Sequence, residues 1–72
     1  MKLNKLKPGE SAIIDEIDYL AGIRTPYTLG IIPGATVKCL STVFTCMEFD
    51  LYGQRLILSK ELASRYSCTK LD

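Results

Sequence analysis

The chain has 72 residues, with nine Lys and Arg side chains against eight Asp and Glu, a formal net charge of +1, and no histidine. This length predicts one domain over residues 1–72, and the near-neutral charge supplies no positive field to hold a nucleic acid. The absence of histidine removes the usual general base, the common nucleophile pairs and the most frequent transition-metal ligand, so we expect no enzyme.

The first predicted elements are a turn and a strand. Pro8 and Gly9, in residues 6–10 (LKPGE), favour a type II turn, because Pro presets φ at the first central position and Gly accepts positive φ at the second. Residues 11–17 (SAIIDEI) are rich in β-branched side chains and alternate imperfectly. We expect a strand there that is partly covered on both faces.

A short helical turn is predicted for residues 25–30 (TPYTLG). Thr25 can cap the first N–H groups, Pro26 suits the first helical position, and Gly30 suits a left-handed C-terminal cap. Residues 33–34 (PG) then predict another tight turn.

Two strands are predicted in the middle of the chain. Residues 36–41 (TVKCLS) place Cys39 on the apolar face, although Leu40 breaks the alternation. Residues 45–51 (TCMEFDL) alternate cleanly, with apolar side chains on one face and Cys46 on the other.

The last third predicts a hairpin, a short helix and a final strand. Gly53 supplies the positive φ of a tight hairpin, and residues 55–58 form the returning strand. Residues 59–65 suit a short helix capped by Ser59, and residues 66–71 a closing strand. The fold class that follows is mainly β: a small SH3-like β-barrel of about five strands with one or two short helices.

Cysteine number and hydropathy indicate the compartment. Three cysteines without close spacing fit free thiols in a reducing environment. The longest apolar run is far below the ~20 residues that span a bilayer, and the first residues carry no apolar signal core. We expect a cytoplasmic protein with no direct membrane insertion.

Three passages resemble the FeoA family of ferrous iron transport proteins at matching spacing. They are residues 29–37 (LGIIPGATV), 53–63 (GQRLILSKELA) and 6–10. Within the first two passages, the residues that match family positions with an expected structural role are Gly30, Pro33, Gly34, Gly53 and Ala63.

This resemblance implies an SH3-like barrel that serves as a cytoplasmic accessory of FeoB, a membrane transporter with a G-protein domain. It also implies a transition-metal-ion-binding domain, so Fe(II) or another transition metal enters as an expected ligand by resemblance alone. The chain departs from the family pattern twice. Pro26 lies inside the segment where relatives carry a basic, Leu-rich helix, of which Arg24 remains, and residues 41–45 (STVFT) lack the usual Gly and Pro.

Two interpretations stay open for the possible metal ligands. Cys39, Cys46 and Cys68 either form a thiolate site or serve as small apolar core residues. The carboxylates either offer oxygen ligands or are solvated strand and loop ends. They are Glu10, Asp15, Glu16, Asp18, Glu48, Asp50 and Glu61.

The candidate contact surface consists of apolar side chains, together with Arg24, in loops and at helix ends, where small barrels usually carry function. The alternative role of these side chains is to close the ends of the core. The predicted partner-binding residues are Arg24, Tyr27, Leu29, Ile31 and Ile32, with Tyr19 and Phe44 as further members of the patch.

Two functions from different classes follow. The first is an interaction module that recognises and modulates a FeoB-type transporter at the inner face of the membrane. The second is a metal-responsive sensor or regulatory domain, by analogy with the C-terminal domain of iron-dependent repressors. The first predicts a complex that forms without metal, and the second predicts one that requires it. The sequence leaves the oligomeric state open.

Overall fold

The computed structural model describes residues 1–17 and 31–71. The elements are a 3₁₀ turn Leu3–Lys5, β1 Ser11–Ile17, β2 Thr36–Val43, β3 Cys46–Leu51, β4 Gln54–Ser59, α1 Lys60–Ala63 and β5 Tyr66–Leu71. The five strands form one antiparallel sheet in the order β4-β3-β2-β1-β5. This confirms the predicted mainly β fold class. Within the described residues no ladder joins β4 to β5, so the sheet stays open. The helical turn predicted at 25–30 lies outside the described residues.

Strand β2 contains a bulge and extends two residues beyond its predicted end, because Thr42 and Val43 also pair with β3. Its pairing with β3 shifts between Cys39 and Ser41, so Leu40 is the additional residue that has no partner. Alternation resumes after the bulge, and Val43 pairs with Cys46. The segment at residues 41–45, which lacks the Gly and Pro usual in relatives, is a connection only at residues 44–45, because residues 41–43 belong to β2.

Two tight turns contain residues with positive φ, one just before β2 and one in the β3–β4 hairpin. Gly34 has φ of 93°, and the Ala35 N–H donates to the Ile32 carbonyl at 3.0 Å, which confirms the predicted Pro-Gly turn. Tyr52 and Gly53 have φ of 52° and 90°, the pair of positive values that defines a type I′ hairpin. A tyrosine is unusual at positive φ, because its Cβ crowds the backbone there.

Helix α1 begins where the sequence predicts it. The Ser59 hydroxyl accepts a hydrogen bond from the Leu62 N–H at 3.0 Å, and Glu61 lies in the first turn. The helix ends at Ala63, whose side chain is fully buried. No helix in the described part of the chain has the length and apolar character needed to cross a membrane.

The core lies on one face of the sheet. The 3₁₀ turn covers one end of the core with Leu3, and Leu6 follows it inward. Each large side chain buried in this way stabilises the fold by about 1.5–3 kcal/mol. The largest fully buried side chains are Tyr66, Phe49, Leu3, Leu6, Ile14, Ile31, Met47, Leu58, Val37, Cys39 and Cys68.

Candidate interaction surface

Exposed apolar side chains of the described residues gather on two surfaces. The first, called the Ile32–Tyr52 surface, consists of Ile32, Pro33 and Tyr52. The second, called the Val43–Ile57 surface, consists of Val43, Cys46 and Ile57 on the outer face of β2, β3 and β4, together with Phe44 in the turn that follows Val43. Large apolar groups that are left in water contribute little to stability, so both surfaces are candidates for contact with another molecule.

The Ile32–Tyr52 surface is built by the Pro33–Gly34 turn and the β3–β4 hairpin. The turn places Ile32 at the surface with 42% of its area exposed, and Tyr52 is 76% exposed. The tyrosine hydroxyl accepts a hydrogen bond from the Thr36 N–H at 3.1 Å, which joins the hairpin to the start of β2. An open depression of about 300 Å³ lies between the two elements.

Tyr52 also lines a second, neighbouring depression. The second depression, of about 260 Å³, is also lined by Lys38 and Asp50, which face each other across β2 and β3. The surface therefore combines an exposed aromatic ring, an aliphatic side chain and one charge of each sign. Such a combination is typical of protein–protein contact sites, where an aromatic anchor is surrounded by a polar rim.

The Val43–Ile57 surface is a shallow groove of about 260 Å³. At its end Phe44 is 90% exposed and has φ of 45°, a strained value for a bulky side chain. A polar border follows the groove: the Glu48 carboxylate lies 3.9 Å from the Arg55 guanidinium and 3.4 Å from the Ser41 hydroxyl.

The three cysteines do not come together. Cys39 and Cys68 are buried, and burial raises the pKa of both thiols, while Cys46 lies exposed on the opposite face of the sheet. Across residues 1–17 and 31–71, no three His, Cys, Asp or Glu side chains lie close enough to hold a metal ion. The buried pair thus occupies positions of small apolar core residues.

Several of the candidate carboxylates have partners within the protein. Glu10 lies 2.6 Å from the Lys70 ammonium and accepts the Lys7 N–H at 2.7 Å. Lys70 first, and then the Lys7 backbone bond, hold the pKa of Glu10 below its usual value of 4.5. Asp15 accepts the Thr69 hydroxyl at 2.7 Å. These contacts assign both carboxylates a role in the sheet, next to β5.

The structure distinguishes among the predicted contact residues. Ile31 is fully buried and closes the core, which is the alternative role considered for it, whereas its neighbour Ile32 is exposed. Phe44 is exposed as expected for a patch residue. The remaining predicted members lie outside the described residues: Tyr19, Arg24, Tyr27 and Leu29.

Sequence reasoning did not select Tyr52, Val43 or Ile57 for the contact surface. A signal for Tyr52 was present, because a residue in the two-residue loop of a hairpin lies at the surface. A signal for Ile57 was its position between two inward-facing leucines. Val43 carried no such signal, since the bulge before it reverses the expected face.

Comparison with known proteins identifies relatives. The family model for the FeoA domain matches residues 1–66. No curated protein sequence matches the chain.

Three solved structures share the fold. A crystal structure of the iron uptake regulatory protein FeoA has a TM-score of 0.89 and 26% identity, covering 99% of this chain and 97% of its own. The solution structure of FeoA from Chlorobium tepidum has a TM-score of 0.88 and 27% identity, covering 100% and 71%. The FeoA-like protein from Clostridium acetobutylicum has a TM-score of 0.90 at 19% identity, covering 99% and 86%, which supports the fold alone.

Proposed function

This chain belongs to the FeoA family, and we propose that it is a small accessory protein of ferrous iron uptake that binds and modulates a FeoB-type transporter. The observation that carries the proposal is the family match over residues 1–66. It is supported by the similarity to a protein described as an iron uptake regulator. Under this proposal the chain lies in the cytoplasm and is recruited to the inner face of the membrane by its partner, without entering the bilayer.

Contact, and not catalysis, is the mode of action that the residues support. The chain has no histidine, and both buried thiols have raised pKa values. The Ile32–Tyr52 surface, in contrast, offers an exposed aromatic anchor beside an aliphatic side chain. It also includes Pro33 of the family passage at residues 29–37. We propose this surface as one part of the transporter contact, with Arg24, Tyr27 and Leu29 as further predicted members.

The role is tested by iron uptake in cells. A strain lacking its own copy of this gene is supplied with the wild-type chain or with an empty vector, and uptake of labelled Fe(II) is measured over time. The proposal predicts slower uptake without the chain and recovery with it. Equal uptake in both strains would contradict a role in ferrous iron transport.

The contact surface is tested by Ile32→Glu, which places a charge on the exposed side of the Pro33–Gly34 turn. We expect binding to the detergent-solubilised transporter to weaken about tenfold or more, as for a residue near the centre of an interface. The melting temperature should stay close to that of the wild type, because Ile32 is 42% exposed.

Thr42→Glu is the matched control, since Thr42 is also exposed and the change adds the same charge at a distant position on β2. Equal binding by Ile32→Glu and the wild type would exclude the Ile32–Tyr52 surface from the transporter contact. Tyr27→Ala and Arg24→Glu are likewise expected to weaken binding with little change in melting temperature.

The metal-responsive alternative makes a different prediction. A titration of the reduced protein with Fe(II) or Co(II) would show a thiolate charge-transfer band if the cysteines ligated the metal. Cys46 is exposed whereas the other two cysteines are buried, so the structure gives no support to a metal site formed by the three thiolates. We therefore advance only the contact function.

A further inference from the structure

The two edge strands of the sheet, β5 and β4, differ in what covers their outer edges. The outer edge of β5 is covered by the first residues of the chain: the Cys68 N–H donates to the Met1 carbonyl at 2.7 Å, and Lys2 bridges to Ser67. Strand β4 is the last strand at the other edge, and in the described part of the chain no strand lies beyond it. Uncovered edges can pair with another chain, and proteins usually protect them.

The hairpin geometry identifies which backbone groups of β4 point away from β3. In a two-residue hairpin the residues that flank the loop form a hydrogen-bonded pair, and such pairs alternate along the ladder. Leu51 and Gln54 flank the loop, so the even-numbered residues of β4 bond to β3. The N–H and C=O groups of Arg55 and Ile57 consequently point outward from the edge.

The side chains of β4 do not protect this edge. Its pairing with β3 is continuous over six residue pairs without a bulge, and the strand contains no proline or glycine. Its single charged side chain is Arg55, while Ile57 is 71% exposed. The apolar groove of the Val43–Ile57 surface lies next to the strand on the same face.

We propose that a second copy of this chain adds its own β4 to this edge, antiparallel, about a two-fold axis at Ile57. In this register the two Ile57 residues exchange their N–H and C=O bonds and their exposed side chains meet across the axis. Residues 56 and 58 pair across the junction, so each inward-facing leucine lies beside the other copy's leucine. The same residues on both copies thus contact each other, as a two-fold interface requires.

Charge selects this register over the neighbouring one. With an axis at Ile57, a rise of about 3.4 Å per residue and a strand spacing of about 4.8 Å separate the two Arg55 positions by about 14 Å. An axis at Leu56 would bring them within about 8 Å and oppose like charges. An axis at Leu58 would require Ser59 and Lys60 to pair with the other copy, although the chain already turns into α1 there.

The proposed interface is small, because each copy contributes one six-residue strand and a few side chains. It falls below the size of standard stable interfaces, so the dimer should be weak and depend on concentration. This inference is independent of the proposed transporter contact, which uses the Ile32–Tyr52 surface at a different part of the sheet.

Sedimentation equilibrium from about 10 μM to about 1 mM tests the dimer, a range suited to weak association. The average mass of the wild type should rise toward that of two chains. Ile57→Lys should keep the protein monomeric. Ile57→Pro should do the same, because it removes the outward N–H and leaves the β3 ladder intact.

Leu71→Lys, which adds the same charge on β5, is the matched control and should dimerise like the wild type. A monomeric wild type over the whole range would overturn the proposal.

A cross-link tests the register. In a hydrogen-bonded antiparallel pair the Cα atoms lie about 5.5 Å apart, within the range of a disulfide. The double variant Cys46→Ser, Ile57→Cys should therefore form a covalent dimer when oxidised glutathione is added. The control, Cys46→Ser with Leu71→Cys, should form it much more slowly. Equal rates in the two variants would exclude a two-fold axis at Ile57.

Discussion

The inner and outer faces of β3 and β4 differ sharply although their residues alternate along the same strands. Met47, Phe49 and Leu58 point inward and are almost completely buried, whereas Cys46 and Ile57 point outward and are exposed. The pleat of the strands makes this division, since neighbouring side chains project to opposite faces. The inner face accounts for stability, so an apolar side chain on the outer face is available for contact with another chain.

The largest expected difference between the faces is in thiol reactivity. Cys46 should react with a thiol reagent at the rate of an exposed cysteine. Cys39 and Cys68 should react about a thousandfold more slowly, because they are buried and a buried thiol reacts only when the domain opens. Mass spectrometry of the partly labelled protein measures the three rates. Comparable rates at Cys46 and Cys68 would contradict the assigned faces.

The next largest effect is on the free energy of unfolding. Phe49→Ala removes a fully buried ring and should lower this free energy by about 3–5 kcal/mol. The matched change on the outer face, Ile57→Ala, should alter it by no more than about 0.5 kcal/mol. Urea unfolding of both variants makes the comparison. If Ile57→Ala were as destabilising as Phe49→Ala, the claim that the inner face accounts for stability would be contradicted.

A smaller effect is expected at the junction of β4 and α1. Ser59→Ala removes the hydroxyl that accepts the Leu62 N–H and should cost about 1 kcal/mol. Ser59→Asp keeps an oxygen acceptor in the same place and should retain most of the stability. Equal losses in the two variants, measured by urea unfolding, would show that the cap does not stabilise the helix.

The smallest expected effect is electrostatic and involves Glu10. Lys70 lowers the pKa of this carboxyl in the folded state, so the interaction stabilises the fold above about pH 4.5. The contribution is lost as the pH falls through the lowered pKa and Glu10 becomes protonated. Glu10→Gln should therefore flatten the decline of the urea midpoint below pH 4.5. An unchanged decline would show that other carboxylates cause it.

Local signals predicted much of the fold. The strands at Ser11–Ile17 and Tyr66–Leu71 have the predicted bounds, and Ser59 caps α1 as expected. Each of these depends on neighbouring residues: β-branched side chains, a capping hydroxyl, a turn. The 3₁₀ turn at Leu3–Lys5 was not predicted, because three residues are too few to show a periodic pattern.

The candidate site was harder to predict than the fold. Ile31 and Ile32 are adjacent and chemically identical, yet one is fully buried and the other exposed, and the sequence contains nothing to distinguish them. Leu40 shows a related difficulty. It broke the predicted alternation, and only the register with β3 reveals it as a bulge that changes the face of every later residue in β2.

The most direct test of the central claim is a calorimetric titration of this chain into the detergent-solubilised FeoB-type transporter, with a metal chelator present throughout. A contact protein should form a stoichiometric complex under these conditions, and Ile32→Glu should weaken it while Thr42→Glu leaves it unchanged. Binding that appears only after Fe(II) is restored, or no binding in either condition, would contradict the account.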